Sequence, residues 1–233
     1  NGPDVEVVPN PPDEGFGKRG SAPRDLVDVT ARHGVVTRME TLGRAAHGSR
    51  YFEGIDANMR MGRFLGRLDR FEEELRSRPP HPLVGPPSLH APMLRGGTEL
   101  STYAARCILG IERRTIPGET EAGVLAEIAA LVEQAGAADP SFQAGVRSLL
   151  ARNAFEVSPE AAIVQIVGEA TARHQGQAPS LIGKPFWMDS AILADAGVET
   201  VIIGPVGGGA HTAEEWVDLA SLADLAAILT KAA

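Results

Sequence analysis

The sequence predicts a mixed α/β protein: a ferredoxin-like α+β domain followed by a smaller stretch of α/β structure. Three observations predict it. Between His33 and Phe155 the apolar pattern runs strand, helix, strand, strand, helix, strand. This is the ferredoxin-like order, in which two helices cover one face of a sheet. Beyond Ser158 the pattern becomes helix, helix, short apolar strand, helix, the alternation of an α/β layer. Residues 1 to about 25 are rich in Pro, Gly and Asp and follow neither pattern.

Within that first segment only Val5-Glu6-Val7-Val8 reads as a short strand, and Asn10-Pro11-Pro12-Asp13-Glu14-Gly15 reads as loop. Strands are expected over 26–29 and 34–42, the second with Val35, Thr37 and Met39 on one face. A long helix is expected over 56–78, with Ile55, Met59, Phe64, Leu68, Phe71 and Leu75 near one stripe and Pro79-Pro80 ending it. Strands over 88–94 and 104–114 follow, then a Pro117-Gly118 turn. A second helix over 120–135 turns Val124, Ile128 and Leu131 inward and stops at Gly136, and a strand over 143–152 completes the domain. In the last part Ser158-Pro159-Glu160 opens a helix that reaches about His174, with Ser at the N-cap and Pro at N1. A helix over 189–196 ends at Gly197. Thr200-Val201-Ile202-Ile203 has the composition of a strand buried on both faces of a parallel sheet, and a helix over 221–231 follows. At about 75 residues this part is small for a core of its own. It reads as a piece of a larger sheet, with Ile202, Ile203 and Leu193 incompletely covered.

Composition narrows the function classes. Hydrophobic residues make up 43%, charged residues 22%, and the formal net charge is −8. That balance argues against nonspecific binding to nucleic acid or to an anionic membrane. The arginines between Arg60 and Arg78 alternate with acids and read as a solvated helix face. The single cysteine, Cys107, sits in the apolar run Cys107-Ile108-Leu109 and reads as a buried structural thiol. One cysteine cannot form an intrachain disulfide, which fits a cytoplasmic location. No stretch approaches the ~20 apolar residues of a membrane span, and no signal-peptide pattern is visible.

Two histidines stand in glycine-rich settings. His211 lies in Gly204-Pro205-Val206-Gly207-Gly208-Gly209-Ala210-His211-Thr212-Ala213-Glu214-Glu215-Trp216. Open α/β sheets place ligands at loops that follow buried parallel strands. The glycines let backbone approach a bound group, and imidazole suits zinc. Thr212 and Glu215 have the spacing of a capping box for a following helix. Read alone, His211 fits a metal ligand and a surface histidine before a capped helix equally well. His47, in Gly43-Arg44-Ala45-Ala46-His47-Gly48-Ser49, reads alone as a turn histidine. Arg113 and Arg114 end a strand, where an arginine either forms a surface salt bridge or grips a carboxylate with two parallel hydrogen bonds.

Four ordered motifs add a resemblance that covers about residues 31–233. They are Gly43 to Ser49 with Gly54-Ile55-Asp56-Ala57; Gly96-Gly97-Thr98-Glu99-Leu100-Ser101 with Glu112-Arg113-Arg114-Thr115-Ile116-Pro117-Gly118-Glu119; Gly183-Lys184-Pro185-Phe186-Trp187-Met188-Asp189; and Gly204 to Trp216. Together they resemble the zinc metallopeptidase and deacylase family that includes acetylornithine deacetylase, succinyl-diaminopimelate desuccinylase, aminoacylase and carboxypeptidase G. The resemblance implies a zinc-exopeptidase-like α/β domain interrupted by a ferredoxin-like lid that dimerises. It divides the chain into an atypical segment (1–30), the lid (31–156) and the C-terminal part of the catalytic domain (157–233).

The resemblance also implies roles. His47 reaches across a homodimer to stabilise the oxyanion, Arg114 binds the substrate carboxylate, Ser101 and Gly208 contact substrate, and His211 binds one of two metals, zinc or cobalt. The implied activity is hydrolysis of amide bonds in N-acyl amino acids or small peptides. The family's His-x-Asp motif, bridging aspartate and Glu-Glu pair have no match here, and Lys18-Arg19-Gly20-Ser21-Ala22-Pro23 holds no carboxylate where a metal-binding acid stands in the family. One ligand cannot hold a dinuclear site. Three readings are therefore expected: a partial form of such a hydrolase, a non-catalytic dimerisation or binding module, and one half of a split enzyme.

Overall fold

The computed structural model describes residues 26–233. The segments at 5–8, 10–15 and 18–23 lie outside them. In chain order the elements are β1 (Leu26–Ala31), β2 (His33–Leu42), α1 (Ala57–Ser77), β3 (Ser88–Gly96), β4 (Arg106–Thr115), α2 (Glu121–Ala138), β5 (Gln143–Ala151), β6 (Phe155–Glu156), α3 (Ala162–Gln175), β7 (Ser180–Lys184), α4 (Ser190–Asp195), β8 (Gly207–Gly208), β9 (Trp216–Val217) and α5 (Leu219–Ala232). Residues 33–80 and 86–153 form one compact unit; 26–32, 81–85 and 154–233 form the other.

The first unit is the lid. Its antiparallel sheet has the order β3-β4-β2-β5, the ferredoxin-like arrangement. Strict alternation along β2 and β4 sends Val35, Met39, Leu109 and Ile111 to one face, where they meet α1 and α2. Helix α1 buries Ala57, Met61, Phe64, Leu68, Phe71 and Leu75. Met61 takes the place expected for Met59, which is exposed, because a stripe at about 3.6 residues per turn counted back from Phe64 passes through 61 rather than 59. Asp56 caps this helix by accepting from the N–H groups of Asn58 and Met59. The arginines of α1 are tied to acids as a solvated face: Arg60 and Arg63 to Asp139, Arg76 to Glu72, and Arg78 to Glu74 and Glu127. Helix α2 does not stop at Gly136 but runs to Ala138. Gly136 keeps helical dihedrals rather than the left-handed turn of a glycine stop.

In the second unit β1 lies between β6 and β7, antiparallel to the first and parallel to the second. Its core joins Val27, Val29 and Leu181 to Val164 and Val167 of α3. Strand β7 has no counterpart in the sequence reading; only Leu181 and Ile182 mark it, too short a run to carry a period. Leu83, from residues 81–85, is buried in this core.

Three expectations fail here. Ser158 does not cap α3. Its hydroxyl accepts from the Glu160 N–H at 3.2 Å inside a local turn, and the helix begins at Ala162 without a side-chain cap. Residues 200–203 do not form a strand buried on both faces. A single antiparallel bridge pairs Ile202 with Asp28, while β6 takes Thr30 and Ala31 of the short β1. All four residues are half-buried. Thr212 and Glu215 do not cap a helix either: Thr212 Oγ1 donates to Gly209 O at 2.7 Å within a β8–β9 hairpin, and α5 is capped by Asp218.

Candidate functional site

The lid tip is made of two loops, 43–56 and 97–105, zipped by backbone bonds. Arg44 and Ile55 exchange two hydrogen bonds, Gly48 N–H donates to Ser101 O at 2.7 Å, and Tyr103 N–H donates to Ala46 O at 2.9 Å. Gly43 is required where they cross: a Cβ there would lie 2.6 Å from Ala104 O and 2.8 Å from Ala57 N. His47 bridges Thr102 and stands beside Ser101, both exposed. The Ser49 N–H donates to His47 Nδ1 at 3.3 Å, and Ser49 Oγ is 2.8 Å from the same atom. With Nδ1 accepting from the backbone N–H, the neutral ring of the exposed His47 carries its proton on Nε2, which is then a donor. Tyr51, Phe52 and Leu100 of the same two loops are exposed.

Arg113 and Arg114 end β4 on opposite faces. Arg113 is fully buried and paired with Glu119 and, at 3.5 Å, with Glu127. It also donates to Arg114 O at 2.7 Å, and Glu119 accepts from the Ile116 N–H at 3.0 Å. A buried charge needs such partners, so Arg113 pins the β4–α2 turn. Sequence reading missed this role, although the period of two from Leu109 and Ile111 places Arg113 inside. Arg114 lies on the other face, where Glu112 accepts from it at 2.8 Å and stands 3.0 Å from His90 Nε2. Burial is the main reason that His33, beyond this cluster, titrates below the usual histidine range; the Arg114 charge adds to the effect.

The structure brings His47 and Ser101 together but not Arg114. Arg106 and Arg114 bound most of β4, and at ~3.4 Å per residue the strand separates its ends by about 27 Å.

His211 is exposed on the β8–β9 hairpin with φ 63°, the sole non-glycine in the left-handed region among the described residues. Gly208 packs under Trp216, whose Nε1 would lie 2.9 Å from a Cβ at that position. Catalytic zinc takes three protein ligands, and no three His, Cys, Asp or Glu residues gather in a metal-holding group among the described residues. These residues do not fit a zinc site. Cys107 is buried, which pushes its thiol pKa up. Among the described residues no helix is long and apolar enough to cross a membrane.

Residues 32–140 match the peptidase dimerisation domain family. The chain is similar to proteins named as peptidases and to a deacetylase. More particularly, it is similar to an acetylornithine deacetylase from Myxococcus xanthus, 25% identical over 216 residues that cover 90% of this chain and 55% of the deacetylase. Its fold is similar to about half of that of a Staphylococcus aureus tripeptidase (TM-score 0.70, 20% identity, 89% of this chain, 52% of that one). An aminopeptidase from Bacillus cereus is equally similar (TM-score 0.72, 17% identity, 89% and 53%). The chain spans about half the length of these relatives.

Proposed function

We propose that the protein serves the hydrolysis of amide bonds in N-acyl amino acids or small peptides, as a homodimer assembled through the lid of residues 31–156. The observation that carries this reading is the division of the polar residues between the two ends of β4. A small substrate cannot touch His47 and Arg114 of one protomer. In a two-fold dimer the Nε2–H of one His47 can meet the oxyanion of a substrate whose carboxylate is held by the partner subunit's Arg114. Ser101, beside His47, adds a polar contact. Zinc or cobalt enters through the family resemblance; the described residues offer it His211 alone, with Gly208 nearby as a substrate contact. A cytoplasmic location and the absence of nucleic-acid and membrane partners complete the reading.

The test is hydrolysis of N-acetylated amino acids and dipeptides by the full chain with added zinc or cobalt; as a partial form without three metal donors among the described residues it is expected to turn over slowly, and the variants are read relative to that rate. His47→Ala is expected to cost about 100-fold or more in kcat, and Arg114→Ala to raise KM chiefly. An equal mixture of the two variants should recover about a quarter of wild-type activity, because random pairing makes half the dimers mixed and each mixed dimer holds one intact site. No recovery would defeat the shared-site reading.

The absence of a three-donor group among the described residues favours a second reading, a non-catalytic dimerisation or binding module. Metal content separates the two: near two equivalents per chain for the enzyme, near none for the module.

A further inference from the structure

The lid sheet has a second face, away from α1 and α2, and its register creates an electrostatic conflict. β2 and β5 pair so that Arg38 stands directly opposite Arg147. Like charges in that position destabilise a sheet. The nearest acid, Glu40, is 4.0 Å from Arg38 and is already engaged by Arg106, whose Nη2 donates to it at 2.6 Å. That bond is the main cause of the low Glu40 pKa, and the charges of Arg38 and Arg147 add to it. Among the described residues the Arg147 side chain makes no hydrogen bond or ion pair, and it reaches Glu40 only through its field. Three guanidinium groups thus face one carboxylate, in a chain whose net charge is −8.

A cavity of about 350 Å³ opens at this place, lined by Arg38, Glu40, Leu42, Gly145, Val146 and Arg147. Its size is in the range of small-ligand sites. Gly145 leaves the floor open: a Cβ there would meet no atom within 4 Å. Leu42, exposed at 45%, provides an apolar wall.

We propose that Arg38 and Arg147 form a binding site for a small organic anion, its carboxylate or phosphate head between the two guanidinium groups and its carbon body against Leu42. Two planar forks on adjacent strands match the oxygens of such a head, and the bound charge removes the repulsion that the register imposes.

The experiment uses the full chain at constant ionic strength, with sodium chloride as the balancing salt. Succinate and inorganic phosphate are titrated separately by calorimetry, and thermal midpoints are recorded alongside. At least one probe should bind saturably and raise the midpoint, and the arm that does so identifies the head group. Arg147→Gln should weaken that binding at least tenfold and, without anion, melt above the wild type. Gly145→Val, which fills the floor and leaves every charge in place, should weaken binding as strongly. Saturable binding of neither probe, or binding that both variants leave within twofold of wild type, would overturn the proposal.

Discussion

At the scale of single residues, Asp28 is the clearest case of environment overriding identity. It is buried in β1 with Lys184 Nζ 3.4 Å away, and burial pushes its carboxyl pKa up to about 6 from 3.8, the Lys184 charge opposing the rise. A carboxyl whose pKa is raised by folding holds its proton more tightly in the native than in the unfolded state. Its contribution to stability is therefore full below about pH 4 and is lost as the pH climbs through about 6. A shift of roughly two pKa units corresponds to about 3 kcal/mol. Thermal unfolding followed from pH 4 to 7 should show a falling midpoint that Asp28→Asn abolishes; an unchanged slope in the variant would assign the loss to other groups. Asp28 was invisible in the sequence, since nothing in Leu-Val-Asp-Val shows that the strand is enclosed between two neighbours. His47 and Ser101 were legible only through their glycine-rich settings and the resemblance. That they are neighbours depends on backbone bonds between loops about fifty residues apart, which no local pattern encodes.

At the scale of elements, the long lid helix was legible because two signals agreed: a stripe at helical spacing and a Pro-Pro stop. Where a signal stood alone it misled. Ser158-Pro159 and Thr212-x-x-Glu215 have the composition of helix starts, but in both the hydroxyl is used inside its own turn. The two cases predict different energetics. Asp56 accepts from the Asn58 N–H at 2.9 Å and the Met59 N–H at 3.4 Å, so Asp56→Ala should cost about 1 kcal/mol in urea unfolding. Ser158→Ala should stay within about 0.5 kcal/mol of wild type, as for other surface changes without a special role. Equal losses in the two variants would mean that Ser158 stabilises α3 after all.

At the scale of the whole molecule, both units expose large apolar side chains, Tyr51, Phe52, Leu94 and Leu100 in the lid among them, but the lid has much the larger buried core. The lid core is continuous, with Phe64, Met39, Leu109 and Ile128 almost inaccessible. The α/β unit leaves Leu193, Ile192, Val198, Leu219 and Leu229 exposed, whereas Ile202 and Ile203, expected to be open, are half covered. At ~25 cal/mol per Å², a few hundred Å² of apolar surface left in water forgoes several kcal/mol of stability. Amide hydrogen exchange should therefore show strong protection between Val35 and Leu150 and weak protection beyond Ser158. Equal protection would mean that something else covers the α/β unit in solution. The ferredoxin-like order was readable because each of its elements carries its own period. The departure of residues 81–85 was not, because five residues carry none. That short excursion makes the lid a poor cassette for transplantation. Cut out as one continuous piece, it takes Leu83 and Val84 with it, leaving two apolar side chains without cover and a gap beside Gly183, where a Cβ would lie 2.6 Å from Val84 Cγ1 and 3.0 Å from Leu83 Cβ. Any graft of this lid onto another scaffold has to replace 81–85 with a polar bridge, and any host that accepts it has to bring its own plug.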